Sequence, residues 1–225
     1  MNLTPEHTLF RDNVRAFVAR EIAPHINAWD EAQTFPRELY TRASALGLLG
    51  LGYPEAYGGT PCDGWFKLIA TEEVARAGSG GLMASLFSHN IGLPPIVAHG
   101  RDALKQRVIP DVLAGRKVAA LAITEPSGGS DVARLQCKAR RESGPAGDVW
   151  VIDGEKTFIT SGLRADWITL AVRTGNGGAG GMSLIAVPGD APGLQRTPLQ
   201  KMGWWCSDTA HLRFDDCRVP VELGV

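Results

Sequence analysis

The segment Leu121–Ala133, LAITEPSGGSDVA, combines residue types that could hold a phosphate-bearing ligand. Gly128 and Gly129 would let the backbone approach a ligand closely and turn N–H groups toward an anion. Ser130 adds a hydroxyl donor, and Thr124, at the end of an apolar run, could direct its hydroxyl into a buried site. A Gly-Gly-Ser sequence is also typical of an ordinary surface turn, so both interpretations stand on the residues alone.

A second segment, FITSG at Phe158–Gly162, follows a strand-like run. In a strand, Phe158 and Thr160 lie on one face, because alternate side chains point the same way. An aromatic ring and a hydroxyl on one face could hold a flat heterocycle by stacking and hydrogen bonding. Ordinary sheet packing favours the same residue types, so this segment is also ambiguous by itself.

Other conspicuous residues favour structural roles. The segment GLLGLG at Gly47–Gly52 is not a dinucleotide fingerprint, because the third glycine would have to replace Glu55 and the segment ends a helix. His89 is expected to be a hydrogen-bonded interior residue. Trp204 and Trp205 are expected to cover a barrel end. Met83 and Phe87 are expected to lie in the helical core.

The composition bounds the function. The 225 residues are 44% hydrophobic and 21% charged, with a net charge of -1, so nothing indicates nucleic-acid or membrane binding. The start, MNLTPEHTLFRDN, is typical of neither a signal nor a transit peptide, and no apolar run reaches membrane-spanning length. No CxxC or HExxH motif is present, so we expect a cytoplasmic protein without a metal.

The hydrophobic period divides the chain near residue 118. Before it, helical spacing predicts several helices, including one that starts at Thr4-Pro5-Glu6 and ends by Pro24, one buried helix in LMASLFSHNIG, and one interrupted near Pro110. After it, short strand-like runs alternate with turns, and Asp153-Gly154 predicts a two-residue hairpin. The expected fold class is α+β: an all-α helical domain at residues 1–118, then a small antiparallel β-barrel domain at residues 119–225.

Five ordered motifs make the chain resemble the acyl-CoA dehydrogenase family: PEAYGG, AITEPSGGSDVA, DGEKTFITSG, KMGWWCSDTA and FDDCRVP. They extend over nearly the whole chain. The resemblance implies an N-terminal helical domain, a β-barrel domain, and an FAD that lies between the barrel and a C-terminal helical domain.

The resemblance also implies roles for individual residues. Thr124 would bond the pyrimidine end of the isoalloxazine, and Thr160 would bond near flavin N5. Ser130 would reach the pyrophosphate and lie near the CoA arm of the substrate. Phe158, often tryptophan in the family, would pack against the rings. The other implied FAD contacts are the backbone groups of Leu121 and Ile123 and the neighbouring residues Gly129 and Ile159.

The implied reaction is α,β-dehydrogenation of an acyl-CoA thioester, with electrons passing to an electron-transfer flavoprotein. We also expect a homo- or hetero-oligomer.

The resemblance stops at VPVELGV, whereas family members continue into a helical bundle that carries the catalytic glutamate. It therefore implies an incomplete member, and no catalytic residue is assigned. Glu125 is not the base, because its family counterpart is not. The alternative is a non-catalytic flavin- or CoA-binding subunit, or a pseudoenzyme that pairs with a complete partner.

Overall fold

The computed structural model describes residues 3–145 and 147–225. Helices precede strands, and the change falls between Leu113 and Ala119, as expected for the α+β class. The helices are α1 (Pro5–Glu21), α2 (Ile26–Glu31), α3 (Glu38–Ala45), α4 (Gly64–Ala75), α5 (Gly80–Leu86), α6 (His89–Gly92), α7 (Pro94–His99) and α8 (Asp102–Leu113). Among the described residues, no helix is both long enough and apolar enough to cross a membrane.

Helix α1 begins where its sequence predicts. The Thr4 hydroxyl accepts from the His7 backbone N–H, the His7 ring accepts from the Thr4 backbone, and Pro5 occupies the first turn. Two other helix predictions were wrong in detail. The segment predicted as one buried helix forms α5 and α6, and α8 continues through Pro110 rather than stopping there.

The strands form one seven-stranded sheet. They are β1 (Ala119–Ala122), β2 (Lys138–Glu142), β3 (Val149–Thr160), β4 (Trp167–Arg173), β5 (Met182–Pro188), β6 (Leu194–Pro198) and β7 (Thr209–Pro220). The order is β1-β4-β2-β3-β7-β6, with β5 also pairing with β4. Most pairs are antiparallel, but β1 and β2 both pair parallel with β4, so the sheet is a mixed half-barrel.

The hairpin predicted at Asp153-Gly154 is wrong, because both residues lie inside the continuous strand β3. The pairing register with β7 shifts between Ile152 and Gly154, which marks a bulge. A Cβ on Gly154 would lie 2.6 Å from the Cα of Cys137. The Asp-Gly pair thus reflects a bulge and a close backbone approach rather than a chain reversal.

The chain forms two compact units whose sequences interleave. The first contains residues 3–87, 110–116 and 201–207, and the second contains residues 88–109, 117–200 and 208–225. The first unit buries apolar faces of α1, α3 and α5, including Val14, Leu39 and Leu82. The second buries sheet residues such as Ile168 and Ile185. The sequence boundary near residue 118 stays a prediction.

Candidate functional site

The glycine-rich segment after β1 forms a tight turn followed by an exposed loop. The backbone N–H of Glu125 donates to the Gly128 carbonyl at 3.0 Å, and the N–H of Gly128 donates to the Glu125 carbonyl at 3.1 Å. Residues 126–132 are exposed. A pocket of about 140 Å³ lies beside the loop, lined by Ile123, Glu125, Ser127, Gly128, Gly129, Asp131, Val132, Arg134, Leu135 and Gln136.

Thr124 and Gly129 lie directly against each other in this segment. A Cβ on Gly129 would be 3.1 Å from Thr124 Cγ2 and 3.4 Å from Thr124 Oγ1. Any larger residue at 129 would therefore move the half-buried Thr124 side chain. Glycine at position 129 avoids this contact and leaves the Thr124 hydroxyl in its observed position.

Glu125 is buried below the turn and is fully engaged. Its carboxylate accepts from the backbone N–H groups of Gln136 at 2.7 Å and Cys137 at 2.8 Å, and from Lys156 Nζ at 2.9 Å. Burial alone would raise the pKa of Glu125, but these bonds from Lys156, Gln136 and Cys137 hold it below its ordinary value. Glu125 therefore remains ionised and acts as an acceptor.

Lys156 lies in β3 with none of its side chain exposed to solvent. Besides Glu125, its ammonium donates to the Ile123 carbonyl at 2.9 Å. Burial lowers the pKa of Lys156, and the bond to Glu125 opposes that effect. This buried cation joins the strand of the second predicted motif to the loop of the first.

The two predicted motifs also meet through the backbone. The Thr157 N–H donates to the Thr124 carbonyl at 2.8 Å. Leu121 lies in β1 opposite Thr169 of β4, and Ile123 and Thr124 follow directly after β1. The structure thus brings Ile123 and Thr124 beside the end of β3, while Gly129 and Ser130 lie on the adjoining exposed loop.

The end of β3 has an unusual backbone. Phe158 has a φ of 58°, in the left-handed region that is unfavourable for a bulky residue, and it is 70% exposed. The register with β7 shifts between Lys156 and Ile159 at this point. Ile159 is buried, whereas Thr160 is half-buried. The strained segment therefore presents Phe158 to solvent and keeps Thr160 accessible.

Side chains hydrogen-bond both the backbone N–H groups and the backbone carbonyls of the turn after Thr160. The Asp208 carboxylate accepts from the Leu163 N–H at 2.7 Å and contacts Arg164 Nε at 2.6 Å. Arg196 donates to the carbonyls of Leu163 at 2.8 Å and Ala165 at 3.0 Å. The turn that follows Thr160 is thus held by Arg196 of β6 and by Asp208, which directly precedes β7.

The hydroxyls of Thr124, Ser130 and Thr160 make no hydrogen bond to another protein group within the part of the chain that is described. All three are at least partly accessible. They are available to a ligand, and their contacts with FAD stay a prediction.

Other sequence expectations fare differently. His89 is buried, as expected. Met83 and Phe87 are half-buried rather than core residues. Trp204 belongs to the first compact unit and lies against Gly80, where a Cβ would be 2.7 Å from its Nε1, and its role at a barrel end stays a prediction. Trp205 lies in the same segment and donates to the Lys201 carbonyl at 2.8 Å.

Sequence reasoning missed Lys156, Arg196 and Asp208. The available signal was a lysine inside a strand-like run, which is unusual unless its charge is paired.

Over residues 3–145 and 147–225, no cluster of three or more His, Cys, Asp or Glu side chains is arranged to hold a metal ion.

Comparison with known proteins identifies both parts of the chain. Residues 4–116 match the family model "Acyl-CoA dehydrogenase, N-terminal domain", and residues 120–217 match "Acyl-CoA dehydrogenase, middle domain". The long-chain specific mitochondrial acyl-CoA dehydrogenase of Mus musculus is 35% identical over 221 residues, which cover 96% of this chain and 50% of the mouse protein.

Solved structures agree with these matches. A candidate acyl-CoA dehydrogenase from Mycobacterium smegmatis superposes with a TM-score of 0.95 at 48% identity, covering 99% of this chain and 58% of that one. An acyl-CoA dehydrogenase from Bacillus anthracis complexed with FAD gives a TM-score of 0.88 at 30% identity, covering 99% of this chain and 38% of that one. The chain thus spans about half the length of the curated relatives it matches. It belongs to the acyl-CoA dehydrogenase family.

Proposed function

We propose that these residues supply the FAD-binding and part of the acyl-CoA-binding surface of an enzyme that dehydrogenates acyl-CoA thioesters between the α and β carbons. One observation carries the proposal. The Thr157–Thr124 backbone bond brings together two segments that each hold an unpaired, accessible hydroxyl, at Thr124 and at Thr160. Two hydroxyls and an exposed aromatic ring suit a flat heterocycle with polar edges.

The chemistry of these residues suits FAD, and each is assigned a contact. Thr124 would bond the pyrimidine edge of the isoalloxazine, together with backbone groups of Leu121 and Ile123. Thr160 would bond near N5, with Phe158 packing on the ring system and Ile159 supporting it from the buried side. Gly129 and Ser130 lie on an exposed loop where backbone N–H groups and a hydroxyl can reach a pyrophosphate. Ser130 would also lie near the CoA arm.

FAD and the residues of the chain would have different roles in the reaction. Bound FAD supplies the acceptor for the β-hydride. The chain's own residues hold and orient the reactants and help to exclude water. The weakly acidic α-proton requires a general base within hydrogen-bond reach.

No described residue is assigned as that base. Glu125 is excluded because three donors hold its carboxylate and its bond to Lys156 is buried. We infer that the base comes from a helical segment outside these residues, and that an electron-transfer flavoprotein accepts the electrons.

The experiment is an anaerobic titration of the 225-residue chain. FAD is added first, followed by a panel of saturated acyl-CoA thioesters, and the visible flavin spectrum is recorded. We expect FAD to bind and acyl-CoA to perturb its spectrum without rapid bleaching. Rapid bleaching would place a base within these residues and overturn the assignment above. An absence of FAD binding and of any perturbation would overturn the proposed function.

A further inference from the structure

We propose that Lys156 and Glu125 are positioning residues that couple the two FAD-contacting segments, so that Thr124 and Thr160 are set together rather than independently. The link to FAD rests on the proposed function. The coupling itself rests on contacts within the protein and can be measured without cofactor.

Lys156 provides the first half of the coupling. It precedes Phe158 and Thr160 on the same strand, so its backbone moves with the segment that would contact the rings. Its ammonium donates to the Ile123 carbonyl at 2.9 Å, immediately before Thr124. A displacement of either segment would therefore break a buried bond to a charged donor, which is costly to leave unmade.

Glu125 provides the second half. It follows Thr124 directly, and its carboxylate bonds Lys156 on one side and the N–H groups of Gln136 and Cys137 on the other. Residues 126–135 consequently form a loop whose two ends meet at one carboxylate. Because Gly129 and Ser130 lie in that loop, the same pair sets the base of the pyrophosphate-facing segment.

The ionic character of the pair supports positioning rather than stability. A buried ion pair must offset the desolvation of both charges, and an apolar pair of similar volume is often equally stable. Charged hydrogen bonds differ from apolar contacts in having a fixed direction. The pair therefore supplies geometry that Leu or Met at these positions would not.

The variants separate these two effects. Lys156→Met and Glu125→Gln each leave one partner without its mate, whereas the double variant removes both charges. A purely structural role predicts that the double variant recovers wild-type behaviour together with stability. The matched control is Glu73→Gln, which removes another fully buried carboxylate, one that pairs with Arg15 and lies in the other compact unit.

The first measurement is hydrogen exchange of the apo-protein. The Thr157 N–H bonds Thr124 and not the ion pair, so its exchange reports the coupling. We expect it to exchange about tenfold faster in the double variant, the change that corresponds to losing one ordinary hydrogen-bond contribution. If the amides of Gln136 and Cys137 lose protection while that of Thr157 does not, the coupling is overturned. If Lys156→Met does not fold, the isosteric Glu125→Gln variant provides the same test.

The second measurement is FAD affinity and the flavin reduction potential. We expect roughly tenfold weaker binding and a shifted potential in the double variant, even where its unfolding free energy equals that of wild type. Glu73→Gln should lower stability and leave the potential unchanged. Unaltered affinity and potential in the double variant would overturn the role toward FAD. If wild-type protein binds no FAD, the proposed function fails, and the exchange result alone decides whether the coupling stands.

Discussion

Thr157 donates its backbone N–H to the carbonyl oxygen of Thr124 at 2.8 Å, joining two segments that are about thirty residues apart in sequence. Neither segment is distinctive alone, since one is a glycine-rich turn and the other the end of a strand. The bond joins a segment that carries the half-buried Thr124 to one that carries the exposed Phe158 and the half-buried Thr160.

Gly129→Ala tests the contact between the loop and Thr124. The new Cβ would lie 3.1 Å from Thr124 Cγ2, so the threonine must shift. We expect FAD affinity to fall several-fold, while the free energy of unfolding changes by about 0.5 kcal/mol or less, as at most exposed positions. Isothermal titration and urea unfolding measure the two quantities. Gly177→Ala, where a Cβ meets nothing within 4 Å, should change neither.

Phe158→Gly tests whether strain at the end of β3 serves ligand binding. Glycine relieves the left-handed conformation, which costs a bulky residue roughly 1–2 kcal/mol, but it adds backbone entropy to the unfolded chain. We therefore expect the apo-protein to be about as stable as wild type, within about 1 kcal/mol, and to bind FAD more weakly. Phe158→Trp should retain binding. A large loss of stability in the glycine variant would show that the ring supports the fold instead.

Thr160→Val removes one hydroxyl with little change in shape. Because that hydroxyl bonds no group in the described residues, the apo-protein should keep its stability. Loss of a flavin hydrogen bond should weaken FAD binding by about 1 kcal/mol or somewhat more, or shift the flavin potential. The matched control is Thr209→Val, since Thr209 lies opposite Thr160 on β7. Full affinity together with an unaltered potential would remove Thr160 from the N5 position.

Acid titration tests the state of Glu125. Its pKa is lowered in the folded protein, because the bonds from Lys156, Gln136 and Cys137 exceed the opposing effect of burial. Such a group stabilises the native state above its unfolded pKa, and that contribution is lost as pH falls through the folded pKa. Below the ordinary value of 4.5, the free energy of unfolding should therefore fall more steeply in wild type than in Glu125→Gln.

Urea unfolding at a series of pH values measures this difference. Glu155→Gln removes an exposed carboxylate from β3, the strand of Lys156, and controls for the change in net charge. Parallel curves for wild type and Glu125→Gln would mean that the Glu125 carboxylate contributes nothing to acid stability.

Much of this fold could be predicted from local patterns. Helical and strand periods reflect which faces are buried, and the Thr4-Pro5 start has a complete local capping explanation. The hairpin at Asp153-Gly154 failed because an Asp-Gly pair suits a bulge as well as a turn, and only the neighbouring Cys137 backbone decides between them. That neighbour is brought in by tertiary pairing, which local sequence does not report.

In the candidate site, too, some residues could be predicted from local sequence, whereas the roles of others depend on tertiary contacts. Thr124, Ser130 and Thr160 could be proposed from their residue types and from the family resemblance. A lysine inside a strand-like run indicates a paired charge at Lys156, but its partners, and those of Asp208, are distant in sequence, such as Ile123 and Leu163, so local sequence does not identify them. The left-handed backbone of Phe158 was equally hidden, since phenylalanine gives no local signal for it.

The most direct test of the central claim is a crystal structure of the protein with FAD. We expect Thr124 Oγ1 and Thr160 Oγ1 both to lie within about 2.5–3.2 Å of polar atoms on the isoalloxazine, the ordinary hydrogen-bond range. We also expect the Phe158 ring to lie against the flavin, and Gly129 and Ser130 to lie beside the pyrophosphate. A flavin bound elsewhere, or one that touches only one of the two segments, would contradict the claim that they form a single FAD surface.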